Sequence, residues 1–201
     1  DMKRESGKNL DLIIGNSTCR AEYNGTHVYH GISFKNIKKH HGGVIDPANF
    51  APEDDIAECV KNYFKILGKR YVHLGSLDTA GLQNPAYDLH FCFDINKLKQ
   101  VSKEILFLNY DLWTRIGFYE QPKRDYRKYQ KNLFLDDYTT ETETEVLVDK
   151  LDTKAAEYVL VYDRKTRAEL GKFMQKNKMS VPIKACRRVI PAWMIPKGAT
   201  T

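Results

Sequence analysis

The sequence predicts an α+β fold: a single domain built on a mixed or antiparallel split β-sheet core with short flanking helices. Short apolar stretches with two-residue alternation recur along the chain, the helical stretches between them are few, and crossovers of βαβ length are scarce. With 201 residues, 42% of them hydrophobic, the chain can bury one good core. It has no internal repeat and no Pro/Gly/Ser-rich linker, so residues 1–201 read as one domain, with 1–26 a peripheral N-terminal segment.

The elements follow in order. Residues 27–30 begin a short strand that Gly31 is expected to break. Ser33 then caps a helical stretch over 34–41, stopped by Gly42-Gly43. Residues 54–67 place Ile56, Val60, Tyr63, Phe64 and Leu67 at helical spacing, with Pro52-Glu53 at the start and Gly68 at the end. Residues 70–74 and 89–93 read as strands, the second alternating Leu89, Phe91 and Phe93 with His90 and Cys92. Late in the chain 145–148 and 157–162 are two strands separated by a short turn. A helix over 167–176 follows, and a strand over 183–190 lies between Pro182 and Pro191.

The formal net charge is +6, with cations concentrated in 35–41, 61–70 and 123–131. A cationic surplus attracts polyanions, although the same clusters also fit a plain solvated surface. The third cluster interleaves Arg124, Arg127 and Lys128 with Tyr126 and Tyr129. That composition lets bases stack while phosphates are neutralised, which makes Arg124, Tyr126, Arg127 and Lys128 candidates for contact with DNA or RNA. The cysteines Cys19, Cys59, Cys92 and Cys186 form no CxxC pair and have no metal-ligand spacing, so reduced core thiols and no metal are expected. Two sequons, at Asn16 and Asn24, would suit a secreted protein but lack a supporting signal sequence. With no apolar run long enough to span a bilayer, the expectation is a soluble, cytoplasmic protein without membrane contact.

Three segments carry candidate chemistry. Tyr29-His30-Gly31 sets a histidine at a strand end before a glycine, with Asn36 and Gly43 downstream. The run from Arg70 through Tyr71 and His73 to Ser76 delivers small polar groups at the end of an aromatic strand. In Glu141-Thr-Glu143-Thr-Glu145-Val-Leu-Val, alternation puts the three carboxylates on one side of an extended chain. Each has a plain structural alternative: a satisfied histidine, a core strand, a solvated acidic edge. The functional alternative is that Glu145, at the mouth of an apolar strand, is held rigidly enough to stabilise developing positive charge.

In that order the three segments resemble the ADP-ribosyltransferase superfamily, which carries a His on a first strand, an aromatic or hydroxyl residue on a second, and a Glu at the start of a later one. The glutamate segment, followed by a turn and the strand from Tyr158 to Tyr162, is similar to the DarT-type toxins that modify nucleic-acid bases. The segment from Arg70 to Ser76 resembles the tRNA 2'-phosphotransferases. No Arg matches the DarT-type arginine that contacts NAD, Arg70 and Arg115 being the candidates. The early basic residues of the phosphotransferases have no counterpart.

The resemblance implies an ADP-ribosyltransferase-like fold and NAD as co-substrate. It implies transfer of one ADP-ribose to a DNA or RNA base, as in a toxin, with an antitoxin or inhibitor protein as partner. His30 would bind the adenosine-side ribose and Gly31 the nicotinamide amide, with Asn36 in the same NAD-binding segment. Tyr71 or Tyr87 would stack on the nicotinamide ring, and Ser76 would hydrogen-bond near the ribose. Cleaving the nicotinamide bond builds positive charge on the ribose, which assigns Glu145 to its stabilisation and Glu143 to accepting the acceptor's proton. Glu143-x-Glu145 is also the pattern of transferases that modify protein arginine. A non-enzymatic nucleic-acid-binding module built on 123–131 is the rival from another class.

Overall fold

A computed structural model describes residues 11–14, 17–20, 26–49, 67–75, 87–109, 134–139 and 145–187. The fold is α+β. Strands β1 (Asp11–Ile14), β2 (Ser17–Arg20), β3 (His27–Ile32), β5 (Val72–Gly75), β6 (Leu89–Asp94), β7 (Ile105–Leu108), β8 (Phe134–Leu135), β9 (Glu145–Val148), β11 (Tyr158–Val161) and β12 (Ile183–Arg187) form one sheet in the order β2-β1-β12-β11-β6-β3-β5-β9-β7-β8. The pair β11 and β12 is parallel and the other pairs are antiparallel, so the sheet is mixed. A separate ribbon joins β4 (Val44–Ile45) to β10 (Leu151–Asp152).

The sheet is split. Along β3 and β6 six residues pair in succession, yet β3 meets β5 through one pair, Tyr29 and Gly75. On one side of this seam lies the half ending in β6-β3, and on the other the half β5-β9-β7-β8. Paired residues share a face, and both halves send the same parity to the core. Val28, Ile32, Leu89, Phe91, Phe93, Val159 and Val161 come from one half, Val72, Leu74, Phe107, Val146 and Val148 from the other, and all are buried together. At roughly 1.5–3 kcal/mol for each fully buried aliphatic or Phe side chain, this face supplies the main driving force for holding the halves together.

The helices cap and close that core. Helix α1 (Phe34–Ile37) starts at Ser33, whose Oγ accepts from the Asn36 amide at 3.2 Å, and buries Phe34 and Ile37. Asp94 caps α2 (Ile95–Val101), accepting from the Lys97 amide at 3.0 Å, and Ile95 and Leu98 are buried. Asp163 caps α3 (Arg164–Lys176), accepting from the Thr166 amide at 2.7 Å. One turn apart, Leu170 and Met174 of α3 face the core, while Phe173 meets Phe34 edge-on at 6.3 Å.

Several expected boundaries move. Gly31 does not break the first strand; it pairs with His90, and the ladder runs on to Ile32. The helix expected over 34–41 ends at Ile37, where the backbone tightens to bonds from the Lys39 amide to the Asn36 carbonyl and from the His40 amide to the Ile37 carbonyl, and Gly42 and Gly43 at φ 66° and 81° turn the chain farther on. The helix after β11 begins three residues earlier than 167, at the Asp163 cap, while α2, β7 and the ribbon strands carry no strong periodicity. Strands β9 and β11 are not neighbours: between them β10 and a 3-10 turn over Thr153–Ala155 carry the chain from one half to the other. The helix expected over 54–67, except Leu67, lies outside the described residues, as do 188–190 of the last strand.

Candidate active site

The three candidate segments fall on adjacent strands. Tyr29 of β3 pairs with Gly75 of β5, Gly75 with Glu145 of β9, and Glu145 with Leu108 of β7, so one cross-strand line joins the first, second and third motifs. Paired residues share a face, which puts Tyr29 and Glu145 on the sheet surface opposite the core, with Gly75 contributing no side chain between them.

Glu145 is 6% exposed although it is a carboxylate. Its partner is His73: Nδ1 donates to Glu145 Oε1 at 2.5 Å. His73 pairs with Leu147, so Glu145 is its same-face diagonal neighbour two residues along, within reach of a long side chain. Desolvating a carboxylate costs several kcal/mol, and a charge-assisted donor offsets part of that.

His30, paired with the core residue Phe91 and so of the other face, reaches the His73 backbone from across the seam. Its Nδ1–H donates to the His73 carbonyl at 2.8 Å, adding a side-chain bond where the β3–β5 ladder has a single pair. Burial pulls its pKa down to about 4, partly opposed by the hydrogen bond to the His73 carbonyl. Near pH 7 the ring is therefore neutral. With Nδ1 carrying the proton, Nε2 is a hydrogen-bond acceptor, suited to a hydroxyl and not to an anion.

Beside Gly31, its cross-strand partner His90 is wholly buried and shares a 2.8 Å hydrogen bond between Nδ1 and the Tyr162 hydroxyl. Tyr87 and Tyr162 stand edge-on to the His90 ring at 5.8 and 5.5 Å. Both tyrosines are half-buried, so an aromatic surface flanks Gly31.

Tyr71 stands apart from this cluster. It precedes β5 at the Val72–Val148 end, roughly 13 Å of strand from the position opposite Glu145. Its hydroxyl donates to Glu104 Oε1 at 2.6 Å, and Lys69 both pairs with Glu104 and covers the Tyr71 ring at 5.0 Å. Arg70 lies at the same far end. Asn36 is exposed on α1. Ser76, Glu143, Arg124, Tyr126, Arg127, Lys128 and Arg115 lie outside the described residues.

His73 is the residue that sequence reasoning passes over: it stands in the second segment, but its meeting with Glu145 depends on register between strands 72 positions apart. Two thiols, those of Cys92 and Cys186, behave as core groups. Cys92 and Cys186 are buried, and burial pushes the Cys92 thiol up to about 11, well away from a reactive thiolate. Cys92 sits among Tyr29 and Tyr158, whose hydroxyls share a 2.8 Å hydrogen bond and whose own pKa values burial also raises. Among the described residues no helix is long and apolar enough to cross a membrane, and no group of three His, Cys, Asp or Glu is placed to hold a metal ion.

No family model and no curated protein matches the chain. Among solved structures the chain is similar to Thermus sp. 2.9 DarT in complex with ADP-ribosylated ssDNA. The identity is 13% and the TM-score 0.49, over 82% of this chain and 94% of that one. A likeness of that degree says nothing about chemistry, which has to be read from the residues themselves.

Proposed function

We propose that the chain is an NAD-dependent mono-ADP-ribosyltransferase whose acceptor is a nucleic-acid base. The observation that carries the reading is the single line Tyr29–Gly75–Glu145 across β3, β5 and β9, with the His30–His73–Glu145 linkage beside it. Three segments singled out by sequence order become neighbours: Tyr29 and Gly75 stand in line with the buried Glu145, and His30, paired with the core residue Phe91, reaches that line through the His73 carbonyl.

In the proposed reaction the C–N bond between nicotinamide and the ribose anomeric carbon breaks, and its electron pair leaves with nicotinamide. A ring or exocyclic nitrogen of the acceptor base supplies the new pair to that carbon and then loses its proton. Glu145 stabilises the cationic ribose between the two events. Its burial keeps the local dielectric low, and His73 keeps the carboxylate in one orientation, so little reorganisation is needed as charge develops. The neutral His30 offers Nε2 to a ribose hydroxyl, Gly31 lies where a backbone group can reach the amide, and Tyr87 offers a ring next to it. Glu143 is assigned to the departing proton on its sequence parity with Glu145 alone.

The test is incubation with NAD labelled in the adenosine half and, separately, single-stranded DNA, RNA and protein. Label transferred to DNA or RNA supports the reading. Transfer to protein alone replaces it by the arginine-transferase alternative that Glu143-x-Glu145 also fits. Oligonucleotide binding with no consumption of NAD would leave a non-enzymatic binding module.

A further inference from the structure

We infer that the face formed by residues 34–43 and the C-terminal half of α3 is a binding surface for the phosphate backbone of a nucleic acid. Two contacts hold these segments side by side. Phe34 meets Phe173 at 6.3 Å, and Gly43 packs so closely on the residues after α3 that an added Cβ would stand 3.0 Å from Met179 Sδ. Lys35, Lys38 and Lys39 are thereby brought beside Lys172, Lys176 and Lys178, all six exposed.

The charge there is predominantly cationic, although the Asp88 carboxylate is seated at its edge and accepts from the Phe34 amide at 2.9 Å. Residues 34–45 and 170–182 each contain three lysines and no carboxylate. Elsewhere Lys69, Lys99 and Lys150 are each matched to an acid, whereas among the described residues none of these six forms an ion pair. Glu169, a turn earlier on α3, is the nearest carboxylate along that helix. Lys172 and Lys176 are spaced i to i+4, about 6 Å apart, which suits successive phosphates. A membrane-surface role would ask for apolar side chains among the cations. The large hydrophobics exposed among the described residues, Val101 and Phe134, lie on α2 and β8 instead. The face begins four residues after His30, just past the end of β3. The inference concerns binding alone and is tested by binding, so it stands or falls separately from the transferase reading.

Two full-chain variants test it: Lys35→Gln/Lys38→Gln/Lys39→Gln and Lys172→Gln/Lys176→Gln/Lys178→Gln. Affinity for a fluorescent single-stranded oligonucleotide is measured by anisotropy over a salt series. Each triple variant should bind more weakly, with the slope of log K against log salt shrinking by about 2, roughly 0.7 for each phosphate no longer neutralised. If a triple variant unfolds, Lys38→Gln/Lys176→Gln carries the same test, with an expected shrinkage of about 1.4. Lys97→Gln/Lys103→Gln, exposed on and after α2, is the control for reduced charge and should leave the slope unchanged. A parent that fails to bind, variants that match it at every salt concentration, or an equal change in the control overturns the inference. So does a parent that prefers anionic lipid vesicles to the oligonucleotide.

Discussion

Replacing His73 by Ala removes the donor that reaches Glu145 Oε1 at 2.5 Å and tests whether the pair acts as a unit. A hydrogen bond to a charged group contributes about 1.5–3 kcal/mol, and a carboxylate 6% exposed has little water to replace it. At 1.4 kcal/mol per tenfold, His73→Ala should lower kcat about 10- to 100-fold if that orientation is needed in the transition state. Glu145→Gln should cost two to three orders of magnitude, the scale on which one positioned electrostatic partner acts, at about 2.7–4 kcal/mol. The informative variant carries both changes. With the carboxylate charge gone there is nothing for His73 to orient, so its removal should then cost about threefold or less. His73→Asn keeps an N–H near the Nδ1 position without a titratable ring. It should recover much of the rate. The assay is nicotinamide release from labelled NAD, with kcat and KM resolved for each variant. If His73→Ala lowers kcat by the same factor in the parent and in the Glu145→Gln variant, the coupling is refuted and His73 is merely a structural residue.

Three further outcomes follow from the same geometry. His30→Ala should raise the KM for NAD more than it lowers kcat, because a group on a ribose hydroxyl contacts ground and transition states alike; unchanged kinetics would remove His30 from the site. Since burial holds its folded pKa near 4, below the usual value of 6.5, the unfolded state binds the extra proton between those limits. Stability should therefore rise with pH from about 4 to 6.5 and level off above, with His30 accounting for up to about 3 kcal/mol. Urea titrations of the parent and His30→Asn check this, and identical pH profiles would contradict it. Gly43→Ala should lose about 2–3 kcal/mol, because φ is 81° and the new Cβ would stand 2.8 Å from Thr153 Oγ1, which already donates to the Gly43 carbonyl. Gly42→Ala, at φ 66° with nothing within 4 Å, should lose only about 1 kcal/mol. Equal thermal shifts for the two would discount the contact.

The parts of this fold legible in the sequence are those that one strand or helix decides for itself. Leu89, Phe91 and Phe93 alternate because one face of β6 is buried, and Val146 to Val148 read as apolar because both faces of β9 are. Glu145 was legible as a carboxylate entering such a strand. What depends on register between distant strands was not. Nothing local says that His73 lies diagonally from Glu145, or that Tyr71, two residues before His73, commits its hydroxyl to Glu104. The short turn between 148 and 157 says nothing of where β9 and β11 pair; between them Leu151 pairs with Ile45, and the two strands lie in different halves of the sheet. Helix α2 escaped notice because seven residues with two buried positions make no periodic signal of their own.

The seam between β3 and β5 ties the orientation of the His30 ring to the joint between the two halves of the sheet. Across it the backbone ladder supplies one pair, and the His30 ring supplies a further hydrogen bond to the His73 carbonyl. The atom that fixes the tautomer of a candidate ligand-binding histidine therefore also joins the half that carries it to the half that carries Glu145. If His30 holds a ligand, substitutions there should change both binding and the joint. A change that retunes recognition also loosens the joint that sets the distance to the carboxylate, so altered specificity at that position will have to arise together with a compensating change along the seam.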